Sequence, residues 1–104
     1  MHYVVVAEHS AEVCPTSNAK TKALLLEMAP QIPKIAEKNG VNILSGPWVN
    51  HEHITVVIVE TDRPESLDTF LMETRLQQWN RVRVMPSRTI AEGMKELAEG
   101  TTLF

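Results

Sequence analysis

The stretch that most constrains this chain is HITVVIVE, residues 53 to 60. Its aliphatic residues are β-branched and do not alternate with polar ones, so it reads as a strand with both faces covered. Such a strand needs neighbours on both edges and packing on both sides. A second run, Tyr3 to Glu8 (YVVVAE), has the same character. The rest of the chain must be arranged around these two.

Polar residues and Pro15 break the first run. Ser17 then stands as an N-cap, and Leu25, Met28, Ala29, Ile32, Ile35 and Ala36 follow on one helical face. Pro30 and Pro33 interrupt it. Either the helix kinks, or it stops near Ala29 and restarts with both prolines in its first turn. Lys38-Asn39-Gly40 is a helix stop. Val41 to Asn50 (VNILSGPWVN) reads as a second strand, and Pro47 assigns it to a sheet edge. His51-Glu52 turns into the strand 53–60. Asp62 is the predicted cap of the next helix, with Glu65 at the capping-box position and Leu67, Phe70 and Leu71 on its buried face. Trp79 to Pro86 (WNRVRVMP) alternates, with Val82 and Val84 inward and Arg81 and Arg83 on the other face. Thr89 to Glu92 is a second capping box, opening a helix with the stripe Ile90, Met94, Leu97 and Ala98. Gly100 ends that helix, and TTLF is a tail.

The order β-α-β-β-α-β-α predicts an α+β fold over residues 1–104 as a single domain. It is the ferredoxin-like βαββαβ arrangement with an extra C-terminal helix and a four-stranded antiparallel sheet. Right-handed crossovers put the first strand beside the third, with the second and fourth at the edges. Two helices cover only one sheet face, whereas the third strand is apolar on both. The open face is therefore predicted to take a second copy of the chain, giving a homodimer.

A net charge of −3 leaves no basic excess to neutralise phosphates, so neither nucleic acid nor an anionic membrane is the expected partner. The sole cysteine can form no internal disulfide, which points to a reducing cytoplasm. MHYVVVAEHSAE has no basic n-region and too short an apolar run for a signal peptide, and Met1 fits a complete chain.

The predicted topology brings three connections to one end of the sheet. His9, Cys14, Ser17 and Asn18 lie on the first, His51, Glu52 and His53 on the second, and Gln77, Gln78, Trp79 and Asn80 on the third. His51 and His53, at i and i+2 of a regular strand, would share one side and suit two metal ligands, with His9 or Cys14 as a third. The plain reading is a hairpin tip with solvated histidines. Nitrogen and sulfur donors favour a transition metal, zinc or copper, over magnesium. A metal-free version uses His9 as general acid or base and Cys14 as nucleophile, its thiol acidified near a helix N-terminus. The plain reading of Cys14 is a small apolar residue under a loop. Asn18, Trp79 and Asn80 are candidates for holding a small-molecule ligand; a helix cap for Asn18 and core packing for Trp79 are the plainer roles.

Over nearly its whole length the chain resembles the dimeric α+β barrel superfamily. H-x4-C-P-x-S-N (His9, Cys14, Pro15, Ser17, Asn18) with Q-W-N (Gln78, Trp79, Asn80) resembles a small uncharacterised prokaryotic family within it. The resemblance implies the barrel architecture and dimerisation, and it implies no particular reaction. Three functions stay open: a metal or small-ligand site at the sheet end built from His9, Cys14 and His53, with His51 and Asn18 as helpers; a non-catalytic dimeric binding or assembly module; and a cofactor-free monooxygenase or isomerase. The last predicts an apolar pocket lined by Leu25, Phe70 and Leu71.

Overall fold

The computed structural model describes residues 1–103; Phe104, the end of the tail, lies outside the described residues. Strand β1 (His2–Glu8) sits between β3 (Ile54–Glu60) and β4 (Arg81–Ser87), and β2 (Asn42–Trp48) flanks β3. The sheet order β2-β3-β1-β4, antiparallel throughout, is the predicted ferredoxin-like topology. Helices α1 (Ala19–Met28), α2 (Ile32–Lys38) and α3 (Pro64–Glu73) follow in chain order, and α4 (Ile90–Glu99) follows β4. Among the described residues no helix is long and apolar enough to cross a membrane.

Register explains the core. Val5 pairs with Val57 on one side and Val84 on the other, and Tyr3 with Val59 and Pro86. Tyr3, Val5, Val57 and Val59 thus share one face, against Ala36, Val41, Leu67, Phe70 and Leu71. The opposite face carries Val4, Val6, Val56, Ile58 and Met85, none of them fully buried. The register also sets Arg81 and Arg83 on that open face, opposite Glu8 and Val6.

The proline pair resolves as a restart. The chain leaves α1 at Met28, makes a 3-10 turn over Ala29–Gln31 that contains Pro30, and enters α2 with Pro33 in the first turn. Pro47 does lie on an edge strand, next to Gly46 at φ 90°. A Cβ on Gly46 would meet the Val56 carbonyl oxygen at 2.6 Å, so only glycine fits there.

Several predicted boundaries move. Asn18, not Ser17, caps α1, its Oδ1 accepting from the N–H groups of Lys20 and Thr21. Helix α3 starts one residue later than an Asp62 cap requires: Arg63 holds the cap position without a side-chain bond, so no capping box forms. Trp79 and Asn80 precede β4 instead of opening it. The Thr89–Glu92 box does form, but the stripe behind it faces outward, with Ile90 82% and Leu97 69% exposed. α4 therefore projects from the body. The radius of gyration is 15.9 Å, against roughly 13 Å for a compact chain of this length.

Candidate metal centre

The ladder between β1 and β3 runs past the end of both strands, where the His9 N–H donates to the His53 carbonyl at 3.1 Å. His9 lies two residues beyond Ala7, on the helix-side row of β1. His53 does not continue the alternation of β3. Its φ of 62° places it in the left-handed region, which non-glycine residues enter at a cost of about 1–2 kcal/mol. This breaks the regular i, i+2 geometry predicted for His51 and His53. His51 lies exposed in the turn, outside the cluster, while the His53 ring packs edge-on against His9 with centroids 5.3 Å apart. Strain of this kind gathers where side-chain placement matters more than local stability.

Cys14 arrives from the other side. A 3-10 turn over Ala11–Val13 ends at Cys14, and its carbonyl accepts from the N–H groups of Ser17 and Asn18 just before α1. The cysteine is buried. One donor nitrogen from each of His9 and His53 and the Cys14 sulfur all lie within 4.8 Å of one another. A tetrahedral shell with bonds of about 2.0–2.3 Å spaces its donors roughly 3.3–3.6 Å apart. At the 4.8 Å limit the donors stand roughly 1.2–1.5 Å beyond that spacing.

The protonation pattern suits that use. Asn80 Nδ2 donates to the Leu76 carbonyl at 3.0 Å, so its Oδ1 is left as an acceptor. That oxygen lies 3.0 Å from His9 Nδ1, which must carry the proton. In the neutral ring the lone pair is then on His9 Nε2. This is the buried side-chain polar atom that finds no hydrogen-bond partner among the described residues. At the sulfur, the Thr16 hydroxyl lies 3.0 Å from Sγ. The Thr16 hydroxyl, then its backbone N–H, draw the thiol below its ordinary pKa; burial pushes it back up, and His53 lowers it further. The arrangement presents two imidazole nitrogens and a thiol biased towards thiolate, with an outer-shell amide fixing one ring.

Other sequence candidates fall beside the cluster. Asn18 is occupied as the α1 cap and by a 3.3 Å bond to the Glu12 carbonyl. Asn80 is buried and positions His9, so its place is behind the site. Trp79 packs on His9 with ring centroids 5.0 Å apart, and it also lines a cavity of about 560 Å³ under α1 and α3. Leu25, Phe70 and Leu71 line the same cavity, as the apolar-pocket reading predicts. Thr16 was not among the sequence candidates; the signal for it is the tight C-P-T-S-N turn, which folds residue 16 back over the sulfur of residue 14.

No family model matches the chain, and no curated protein matches it. The H-x4-C-P-x-S-N and Q-W-N motifs thus stand without a matching family. Among solved structures, the chain is similar to the C-terminal domain of the MgtC protein from Mycobacterium tuberculosis, at a TM-score of 0.48 and 15% identity. That match covers 83% of this chain and 86% of the other.

Proposed function

We propose that the chain is a small metal-binding protein whose centre is His9 Nε2, Cys14 Sγ and His53, holding zinc or copper. The supporting observation is the buried, unpartnered His9 Nε2, with Asn80 on the other ring nitrogen and the donor atoms of Cys14 and His53 grouped with that ring within 4.8 Å. Burying a polar atom unpaired costs about 1–3 kcal/mol, and a bound ion removes that cost. Three protein donors leave a fourth position for water or an exogenous ligand, the pattern of reactive zinc sites as opposed to closed structural ones. A cytoplasmic location keeps Cys14 reduced for this role.

The test is elemental analysis of untagged protein beside a His9→Ala, His53→Ala double variant. Near-stoichiometric zinc or copper that the variant loses supports the reading. No metal after reconstitution under reducing conditions refutes it, and leaves the cofactor-free apolar-pocket reading favoured by the cavity.

The assembly that carries the centre is a homodimer through the open sheet face. Two surfaces of one chain support this: the apolar row Val4, Val6, Val56, Ile58 and Met85, and the outward stripe of α4. A two-fold axis buries both against their counterparts. Sedimentation of the native chain and of Met85→Glu tests it: dimer for the first, monomer for the second. A native monomer at micromolar concentration refutes it.

A further inference from the structure

The cavity under α1 and the three-donor cluster are neighbours along β1 and β3, although the three donors are not themselves among the cavity's lining residues. The floor of the cavity is the helix-side row of the sheet: Val59, Val57 and Thr55 along β3, with Val5 beside them on β1. The next rung beyond Ala7 and Thr55 is the His9–His53 pair. Two residues of extended chain separate rungs by roughly 6.6–6.8 Å. Trp79 is common to both, packing on His9 and lining the cavity.

The chemistry of the lining is lopsided. No charged side chain lines the cavity, and its side-chain hydroxyls are those of Thr55 and Thr74. Thr74 donates to the Leu71 carbonyl. Thr55 is buried, stands at the end nearest the histidines, and no hydrogen bond within the described residues engages its hydroxyl. At about 560 Å³ the space lies within the roughly 300–1,000 Å³ of small-molecule sites and holds on the order of twenty non-hydrogen atoms at interior packing density. An anionic head inside it would meet no countercharge, so any polar end must sit at the Thr55 and metal end.

The geometry points to a substrate or ligand with an elongated apolar body and one oxygen donor at its end. The body lies along Val57 and Val59 beneath Leu25 and Met28, the head accepts from Thr55, and the donor fills the fourth position of the metal. This rests on the metal-centre reading above. It adds the class of molecule that centre takes, and assigns Trp79 to the boundary between head and body.

The probe is decanoate, with methyl decanoate as the neutral control, on protein loaded with cobalt(II) in place of zinc or copper. The cobalt–thiolate absorption band reports the centre, and the d–d bands report its fourth ligand. Decanoate is expected to change the d–d bands and to bind at least tenfold more tightly than the ester. Leu25→Trp, which fills the cavity from α1, is expected to weaken decanoate binding at least tenfold in protein that still shows the thiolate band. Thr55→Val, close to isosteric, serves the same end if Leu25→Trp does not fold, and is expected to narrow the preference for acid over ester. If the thiolate band forms and saturating decanoate leaves the d–d bands unchanged, or if both variants bind like the native chain, this inference is overturned and the metal reading survives. If no thiolate band forms, the metal reading falls and takes this inference with it.

Discussion

Replacing Asn80 separates a structural amide from one that serves the metal. Its side chain makes two hydrogen bonds at 3.0 Å, accepting from His9 Nδ1 and donating to the Leu76 carbonyl. Asn80→Ala removes both in a buried place. At about 1 kcal/mol per bond, plus partners left unpaired, the apo protein should lose roughly 2–4 kcal/mol. A domain with about 5–15 kcal/mol to spare still folds. Losing an outer-shell partner of a metal-bound imidazole weakens metal binding by about 10–100-fold. Asn80→Asp keeps the acceptor for Nδ1–H but cannot donate to Leu76. It should therefore be destabilised in the apo state yet hold zinc about as tightly as the native chain, where Asn80→Ala does not. Urea unfolding of the three apo proteins, followed by zinc competition against a chromophoric chelator, gives both quantities. If Asn80→Ala binds zinc as the native chain does, the amide merely packs and the argument from the His9 tautomer is wrong.

Thr16→Val should raise the Cys14 pKa, because the hydroxyl at 3.0 Å is the largest influence lowering it. Alkylation at neutral pH should then slow, and zinc should protect the native thiol further; equal alkylation rates would remove Thr16 from the site. Glu73 accepts from Lys38 at 2.6 Å and from Asn39 at 2.8 Å, Lys38 first and Asn39 second drawing its carboxyl below the ordinary range. Its stabilising effect is therefore present above the unfolded carboxylate pKa, about 4.3, and is lost as pH falls through the lower folded value. Glu73→Gln should flatten the acid limb of stability in that window, and an unchanged limb in chemical denaturation would contradict this. Gly46→Ala should cost on the order of 2 kcal/mol or more through the positive φ and the Val56 carbonyl.

The sheet was legible because its two inner strands are β-branched runs too apolar to stand at an edge, and because Pro47 admits only an edge. The convergence of His9, Cys14 and His53 was legible from topology: loops at one end of a four-stranded sheet meet whatever their details. The preference for His53 over His51 followed from the same topology, since His53 adjoins His9 across neighbouring strands. How it gets there did not: His53 takes φ of 62°, and no alternation pattern announces a left-handed histidine. The Asn80 role was hidden for a related reason. An amide beside a tryptophan at the start of a predicted strand reads as a ligand contact, whereas the 3-10 turn over Leu76–Gln78 places the Leu76 carbonyl within reach of its Nδ2. The α4 stripe was visible as a stripe, but a helical period does not say which surface covers it.

The cavity then accounts for a weakness in the fold itself. The space of about 560 Å³ beneath α1 leaves that helix short of packing partners: Thr21 is the buried residue of α1, while Leu24, Leu25 and Met28 are half-buried along the cavity wall. An element so lightly seated opens locally at low cost. Its two ends are nonetheless held, by the Asn18 cap beside Cys14 and by the 3-10 turn into α2. The apolar molecule inferred above would supply the packing that α1 lacks. Because the Cys14 turn leads directly into the same cap, seating the helix also steadies the sulfur. Binding of body and binding of metal should therefore favour each other, each raising the other's affinity by the same factor.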